Sequence, residues 1–450
     1  MLAGGVGMTH TLIYPETAEH NAVGHLAIGG CDVVELCERY GTPLFVYDET
    51  MLRNQARAYR RAFAELVDEF EVVYASKAFS CRAMCELVAE EGLSLDVASG
   101  GELSAARLAG FPPERIYFHG NNKTPPEVSL GLDYGIGCFV VDSFEEIVAL
   151  GAEAARRGMS QRVLLRLTPG VKPDTHGHIQ TGQQDSKFGF GIGDGLACEA
   201  LKQIIAHPHL EPIGIHVHIG SQILRLDAYQ RAIEIVVDTL ADWRRDLGFA
   251  CRLFNIGGGL GIRYTKTDEP ASIGDFAGLV VGALRRSVER HGLAMPRVLV
   301  EPGRSIVGKA AVTAYRVGVV KVIPGVRTYV AVDGGMSDNL RPMLYGSRYE
   351  AMLANKADVP TSDTVTVVGK HCESGDVLVR DVRLAPPEAG DILVTPSTGA
   401  YGYAMANNYN GQPRPAVVLV GDGRARLIVE RETWEDVLRM QRPLHTEVRT

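Results

Sequence analysis

From Glu71 to Gly303, short apolar runs alternate with helix-patterned segments, and no other feature of the chain limits its fold as tightly. The runs are "EVVYAS" (71–76), "SLDVAS" (94–99), "RIYFHG" (115–120), "GCFVVD" (137–142), "RVLLRL" (162–167), "GIHVHIG" (214–220), "RLFNIGG" (252–258) and "RVLVEPG" (297–303). Strands buried on both faces read this way, as near-continuous apolar stretches rather than an apolar/polar alternation. Two intervening segments, "SFEEIVALGAEAARRG" and "DAYQRAIEIVVDTLADWRRDLG", open on Ser143 or Asp227 and close on glycine, the punctuation of N- and C-caps. Eight strands alternating with helices predict an α/β fold of the TIM-like (β/α)8 barrel type.

The link between the fifth and sixth runs, "PGVKPDTHGHIQTGQQDSKFGFGIGDG", is rich in Gly, Asp and Gln and reads as a functional loop. After about Lys309 the texture changes to β-branched runs broken by Gly, Pro and Asp, from "VTAYRVGVVKVI" to "PAVVLVGDGRARLIVE". That predicts an all-β module, a small barrel or sandwich. Before the first run lie one more strand, "TPLFVYD", and an amphipathic helix from about Glu49 to Val67. The expected division is an N-terminal segment (1–48) whose strand joins the β module, a barrel domain (49–309) and a C-terminal β domain (310–450). A chain of 450 residues is long enough for both.

Charge and composition narrow the partners. A net charge of −8 with no basic run argues against a general nucleic-acid binder. No stretch is apolar for long enough to cross a bilayer, so no membrane partner is expected. The start, "MLAGGVGMTHTLIYPE", lacks the basic region and long apolar segment of a secretory signal. Eight scattered cysteines without a C-x-x-C pair then read as reduced cytoplasmic thiols.

Barrel enzymes gather their chemistry at the C-terminal ends of the strands, and four unusual features of this sequence fall there. Lys77 ends the first run, on the face that alternation gives Val73 and Ala75. A solvated strand end is the plain structural explanation for such a lysine. His216 and His218 end the sixth run, "GGGLG" (257–261) the seventh and "EPGR" (301–304) the eighth. Glycines leave backbone N–H groups bare and suit a phosphate, although tight geometry alone also calls for them. The G-x-G-x-x-G spacing of a dinucleotide site is missing. Histidines at i and i+2 suit a metal, but the other strand ends supply no convincing further ligands, so none is expected. A lysine, a phosphate loop, a stacking histidine and a carboxylate together describe a site for pyridoxal 5′-phosphate. Desolvation and nearby cations would lower the pKa of its lysine, as imine formation needs.

In combination, "YASKAF", "HVHIGSQ", "IGGGLG", "EPGRSIVG", "SDNLRPMLYG", "KHCESGD" and "TGAYGYAMANNYN" resemble the diaminopimelate decarboxylase family. These are barrel-plus-β-domain pyridoxal-phosphate enzymes of the alanine-racemase-like class. The resemblance runs from about Pro43 to the C-terminal strands. It implies Lys77 as the Schiff-base lysine, His218 stacked on the cofactor ring and Glu301 paired with the pyridine nitrogen. Ser221, Gly257, Gly258, Gly259, Gly303 and Arg304 are implied in cofactor binding, and His216 as a packed core histidine. A glutamate at 301, where similar racemases carry an arginine, favours the fully protonated ring that suits loss of CO2.

The resemblance further implies Arg304, Arg341 and Tyr345 on the distal carboxylate of a diacid substrate, and Glu373 on its distal ammonium. Cys372 is implied as proton donor to the product carbanion and Tyr401 as a contact to both phosphate and substrate. It also implies a homodimer in which the "CES" segment reaches the neighbouring subunit's site. Alone, Cys372 reads as a small buried hydrophobe and the two arginines as surface charges on snorkelling stems. Cys81 and Cys85 read as core. The implied reaction is decarboxylation of meso-2,6-diaminopimelate at its D-centre to L-lysine and CO2, the last step of lysine biosynthesis. Decarboxylases of the same class acting on ornithine, lysine, arginine or carboxynorspermidine are the nearest rivals. The first three substrates lack the second carboxylate that Arg341 and Tyr345 would bind. A non-catalytic pyridoxal-phosphate carrier should lack the β domain, Lys77 or Cys372, and a metal hydrolase leaves Lys77, the glycines and "EPGR" unused.

Overall fold

A computed structural model describes residues 12–171 and 186–444. Most of the start read above for a secretory signal (1–11), and residues 172–185 of the Gly-rich link read as a functional loop, lie outside the described residues. The chain divides into two compact units: Leu52–Arg263 with Thr267–Gly308, and Met1–Met51 with Tyr264–Lys266 and Lys309–Thr450.

In chain order, β1 (Leu44–Asp48) leads into the helix α1 (Glu49–Ala64), which ends three residues short of the expected Val67. The barrel strands are then β2 (Phe70–Ala75), β3 (Ser94–Val97), β4 (Ile116–Phe118), β5 (Cys138–Val141), β6 (Gln161–Thr168), β7 (Leu210–Val217), β8 (Leu253–Asn255) and β9 (Arg297–Val300). All pair in parallel with their neighbours in sequence, and β9 pairs with β2, so the expected eight-stranded barrel is present and closed. Several strands are shorter than their apolar runs. The "HG", "GG" and "PG" ends lie past the last strand residues of β4, β8 and β9. Inside, Val73, Val140, Leu164 and Leu299 are fully buried and pack with Tyr117 and Cys138 as the barrel core.

Local chemistry explains where the helices begin and end. Ser143 caps Phe144–Arg156 by accepting the Glu146 N–H. Asp227 was expected as a cap for the long helix but lies inside its first turn, following Leu226 at the cap position. Its negative charge there still favours the positive end of the helix dipole. Gly248 ends that helix in the left-handed conformation, φ 68°. The buried face of the helix includes Tyr229, whose hydroxyl donates to the Gly258 carbonyl at 2.9 Å and so ties the helix to the glycine turn.

The second unit is mostly β. Its longest strand is β10 (Ala311–Ile323), followed by β11 (Arg327–Val332), β12 (Asp363–Val368), β13 (Val377–Leu384), β14 (Ile392–Thr395), β15 (Ala416–Gly421) and β16 (Arg424–Val429). Pairing of β10 with β11 slips at Val317/Val319; its first half pairs instead with β1 and β14. As expected, the N-terminal strand belongs here: β1 is antiparallel to β10 and parallel to β15. Leu44, Val46, Val312, Val394, Val418 and Val420 form the centre of its core.

Close backbone approaches constrain the barrel, and the tightest is between two neighbouring strands. A Cβ on Gly214 of β7 would lie 1.9 Å from the Leu253 carbonyl oxygen of β8, a rigid backbone atom. Gly214→Ala should therefore separate two strands that lead into the mouth and cost about 1–3 kcal/mol, the usual price of overpacking. A urea titration checks this: the midpoint should fall with little change of slope.

Candidate active site

Lys77 does not continue strand β2. The strand ends at Ala75, and Ser76–Ala78 make a single 3₁₀ turn, so the expected face shared with Val73 is replaced by a turn. The Lys77 side chain is 41% exposed, and its Nζ lies 3.9 Å from Asp96 Oδ2 at the end of β3. The expectation of a lysine desolvated among cations is thus corrected: an open amine faces a buried carboxylate. Asp96 is fully buried, and neither of its oxygens accepts a hydrogen bond among the described residues. Burial pushes its carboxyl up, against the pull of His119 and Lys77.

Opposite stands Glu301, just beyond β9 and 5% exposed. Three strand ends supply it with partners. His119 Nε2, after β4, lies 2.8 Å from Oε1. His216 Nε2, in β7, donates to Oε2 at 3.1 Å, and Asn255 Nδ2, ending β8, donates to Oε1 at 2.7 Å. Burial alone would raise this carboxyl, but the two imidazoles outweigh it and hold Glu301 well below the usual carboxylate range. Burial pushes His216 down to about 3, so its ring is neutral and donates through Nε2. The ligating atoms of His119, His216 and Glu301 lie within 4.8 Å of one another, close enough for a cation, but both Nε2 atoms already face a Glu301 oxygen.

The glycine turn continues this network. Asn255 Oδ1 accepts the Gly257 N–H at 2.9 Å, and His218 Nδ1 accepts the Gly258 N–H at 3.3 Å. Gly257 and Gly259 have φ of 71° and 109°, and a Cβ on Gly257, Gly258 or Gly259 would meet a backbone carbonyl at 2.4 Å or less. The glycines are therefore required by backbone packing as well as available to an anion. With Nδ1 accepting, the proton of His218 sits on Nε2. Burial, and then the charges of Lys77 and Arg166, hold this imidazole well below its ordinary pKa, although part of it remains exposed. Arg304, 6% exposed, donates through Nη2 to Ser221 Oγ at 2.9 Å. Gly303 fits against the Lys77 turn, where a Cβ would come 3.0 Å from Ala75 and Ala78. Arg166 and Asp142 form a further buried pair, 3.2 Å apart.

The barrel unit thus gathers Lys77, His218, Ser221, Gly257, Gly258, Gly259, Glu301, Gly303 and Arg304 at its strand ends. His119, Asn255, Asp96 and Arg166 were missed in the sequence. Their only signal is a polar residue closing or interrupting an apolar run, as in "YFH", "LFN", "SLD" and "LLR".

The remaining candidates belong to the β unit. Arg341 is 5% exposed and donates through Nη1 to Tyr349 OH at 2.7 Å, with its guanidinium 4.5 Å from the Tyr264 ring centroid. The phenols against Arg341 are thus Tyr349 and Tyr264, both missed in the sequence, while Tyr345 ends the same helical turn, half-buried. Arg341 Nε is buried with no acceptor among the described residues. Cys372 is exposed, not a core thiol, and Glu373 Oε1 accepts the Gly375 N–H at 3.1 Å. Tyr401 has φ 58°, a conformation that costs a bulky side chain about 1–3 kcal/mol and clusters at functional sites.

Comparison with known proteins converges on one family. Residues 50–308 match the family model of the pyridoxal-dependent decarboxylases, pyridoxal binding domain. The diaminopimelate decarboxylase of Bacillus subtilis (strain 168) is 49% identical over 96% of this chain and 99% of its own. The crystal structure of diaminopimelate decarboxylase from M. jannaschii in complex with L-lysine is 34% identical, covers 96% of this chain and 99% of its own, and superimposes with a TM-score of 0.89. For diaminopimelate decarboxylase from Helicobacter pylori complexed with L-lysine the values are 32%, 91%, 99% and 0.83.

The depressed His216 gives a pH signature. Between its ordinary 6.5 and about 3, the unfolded chain binds a proton that the folded site refuses, so stability falls as pH drops through that window. His216→Gln keeps a donor toward Glu301 but cannot titrate, and should flatten the decline. Urea midpoints measured across the window check this; an unchanged slope would contradict the assignment.

Proposed function

The chain belongs to the diaminopimelate decarboxylase family of pyridoxal-dependent enzymes, and from that premise we propose which of its side chains do what. The protein decarboxylates diaminopimelate to lysine and CO2 with pyridoxal 5′-phosphate as cofactor. The cofactor supplies an aldehyde for an amine to capture and a ring that accepts the electron pair left when CO2 departs. The donor set fits it: an accessible lysine amine, a neutral imidazole, an ionised carboxylate, and a glycine turn beside Ser221 and Arg304.

Lys77 is the residue that captures the aldehyde, with Asp96 beside it as counter-charge. Glu301 is the observation that carries the assignment. It is a carboxylate kept ionised in a buried place by His119, His216 and Asn255, and an anion so held keeps a proton on a ring nitrogen opposite it. His218, neutral and fixed through Nδ1, presents a flat face for stacking. Ser221, Gly257, Gly258, Gly259, Gly303 and Arg304 take the phosphate side, and Tyr401 contacts phosphate and substrate. The family model's span of 50–308 supports taking 49–309 as the cofactor-binding domain, with 1–48 and 310–450 as the β domain.

For the substrate, Arg341 and Tyr345, with Arg304, bind the distal carboxylate. The buried Nε of Arg341, without an acceptor among the described residues, supports this, because it leaves a charged donor for a carboxylate oxygen. Glu373 takes the distal ammonium. Loss of CO2 occurs at the D-centre, and the Cys372 thiol returns a proton to that carbon. We further propose a homodimer in which the Cys372–Glu373 segment serves the neighbouring subunit, and a cytoplasmic location, which suits eight free cysteines.

The test is CO2 release from meso-diaminopimelate beside ornithine, lysine and arginine, with the holoenzyme's absorbance followed in parallel. Lys77→Ala should lose both the cofactor band and turnover, and Cys372→Ala should keep the band and lose most turnover. Arg341→Ala removes hydrogen bonds to a charged group, worth about 1.5–3 kcal/mol each, so KM should rise on the order of 10- to 100-fold. Equal turnover of ornithine would sink the substrate reading.

A further inference from the structure

We propose that the buried His371–Asp376 pair is the positioning element of the proton donor, an inference that rests on the reading of Cys372 given above. Asp376 is 3% exposed and works as a hub. One of its oxygens accepts the Met336 N–H at 2.7 Å; the other accepts the His371 N–H at 3.0 Å and His371 Nδ1 at 2.7 Å. His371 is itself buried, and its ring stacks on Tyr409 with planes 17° apart. The four residues between the pair, 372–375, form a turn stapled at its base by that carboxylate. Glu373 N–H donates to the His371 carbonyl at 2.8 Å, Asp376 N–H to the Glu373 carbonyl at 3.1 Å, and Cys372 N–H to Asn410 Oδ1 at 3.0 Å.

The surroundings leave the carboxylate one place to be. A Cβ on Gly335 or Gly369 would come within 2.5 Å and 2.1 Å of Asp376 Oδ2. A buried carboxylate is costly unless saturated with donors, so losing one donor loosens the whole turn. The same hub reaches the segment leading to Arg341, through Met336 and through Lys370 N–H on the Gly334 carbonyl at 2.9 Å. One anchor therefore sets the groups proposed for proton donation, ammonium binding and carboxylate binding.

Position matters because proton return is directional. The bond from carbon to CO2 breaks, and the electron pair stays on the carbon's side. The Cys372 thiol then gives its proton to that carbon, forming C–H, and recovers one from solvent. A thiol held on one side labels one face.

The experiment runs the holoenzyme in D2O and reads, by NMR, which face of the decarboxylated carbon in lysine carries deuterium. Amide exchange at 370–376 is measured without substrate. His371→Leu removes the Nδ1 donor; His371→Asn restores an N–H near the same place. His371→Leu should lower kcat/KM on the order of 10²-fold, spread the label over both faces and speed exchange across the turn. His371→Asn should return all three toward wild type. Single-faced labelling with unchanged kcat/KM in His371→Leu overturns the proposal, and so does unchanged exchange at 370–376. Cys372→Ser separates the two readings: full turnover with single-faced label there removes Cys372 as donor, and the proposal with it.

Discussion

A carboxylate sealed inside a barrel has to be met by hydrogen-bond donors, and much of this site follows from how Glu301 is met. His119, His216 and Asn255 come from three different strand ends, so the barrel must be closed and in register before the carboxylate is satisfied. From Asn255 the network runs on. Its side-chain Oδ1 fixes the Gly257 N–H, the next amide fixes His218 Nδ1, and Tyr229 fixes the Gly258 carbonyl from the helix side. The charge of Glu301 and the tautomer of His218 are thereby settled by one continuous set of bonds.

Asp96 shows the opposite design. It is as buried as Glu301 but accepts no hydrogen bond among the described residues, and its close counter-charge is a lysine amine 3.9 Å away on an open turn. A saturated carboxylate fixes a structure; an unsaturated one beside an amine leaves the amine able to exchange partners. The β unit repeats the saturated form at Asp376, and pairs a buried Arg341 with two phenols while leaving its Nε unfilled.

Much of the fold was legible because repetition is a strong signal. Eight apolar runs in alternation with helices leave few closed solutions, and β-branched runs after Lys309 leave few others. Strand ends were less legible, since a run such as "RIYFHG" does not say that the regular strand is only Ile116–Phe118. Alternation places Lys77 on the strand for the same reason: it persists in sequence past the point where the backbone turns. The glycines, Glu301 and His218 stood out by motif, whereas His119, Asn255 and Asp96 are single polar residues with no spacing rule to mark them. Tyr349 carries no motif of its own, whereas Tyr345, four residues earlier, lies in "SDNLRPMLYG".

The sequence by itself determined the barrel, the β module and the inventory of reactive groups, because periodicity, turn residues and side-chain chemistry are local properties. Which groups meet was decided only by the tertiary structure. His216 and Asn255 reach Glu301 across 85 and 46 residues of chain, and no local pattern carries that information. Barrel closure and strand register bring them within 3.1 Å. Only at that distance can the two imidazoles hold the Glu301 carboxyl well below its usual range.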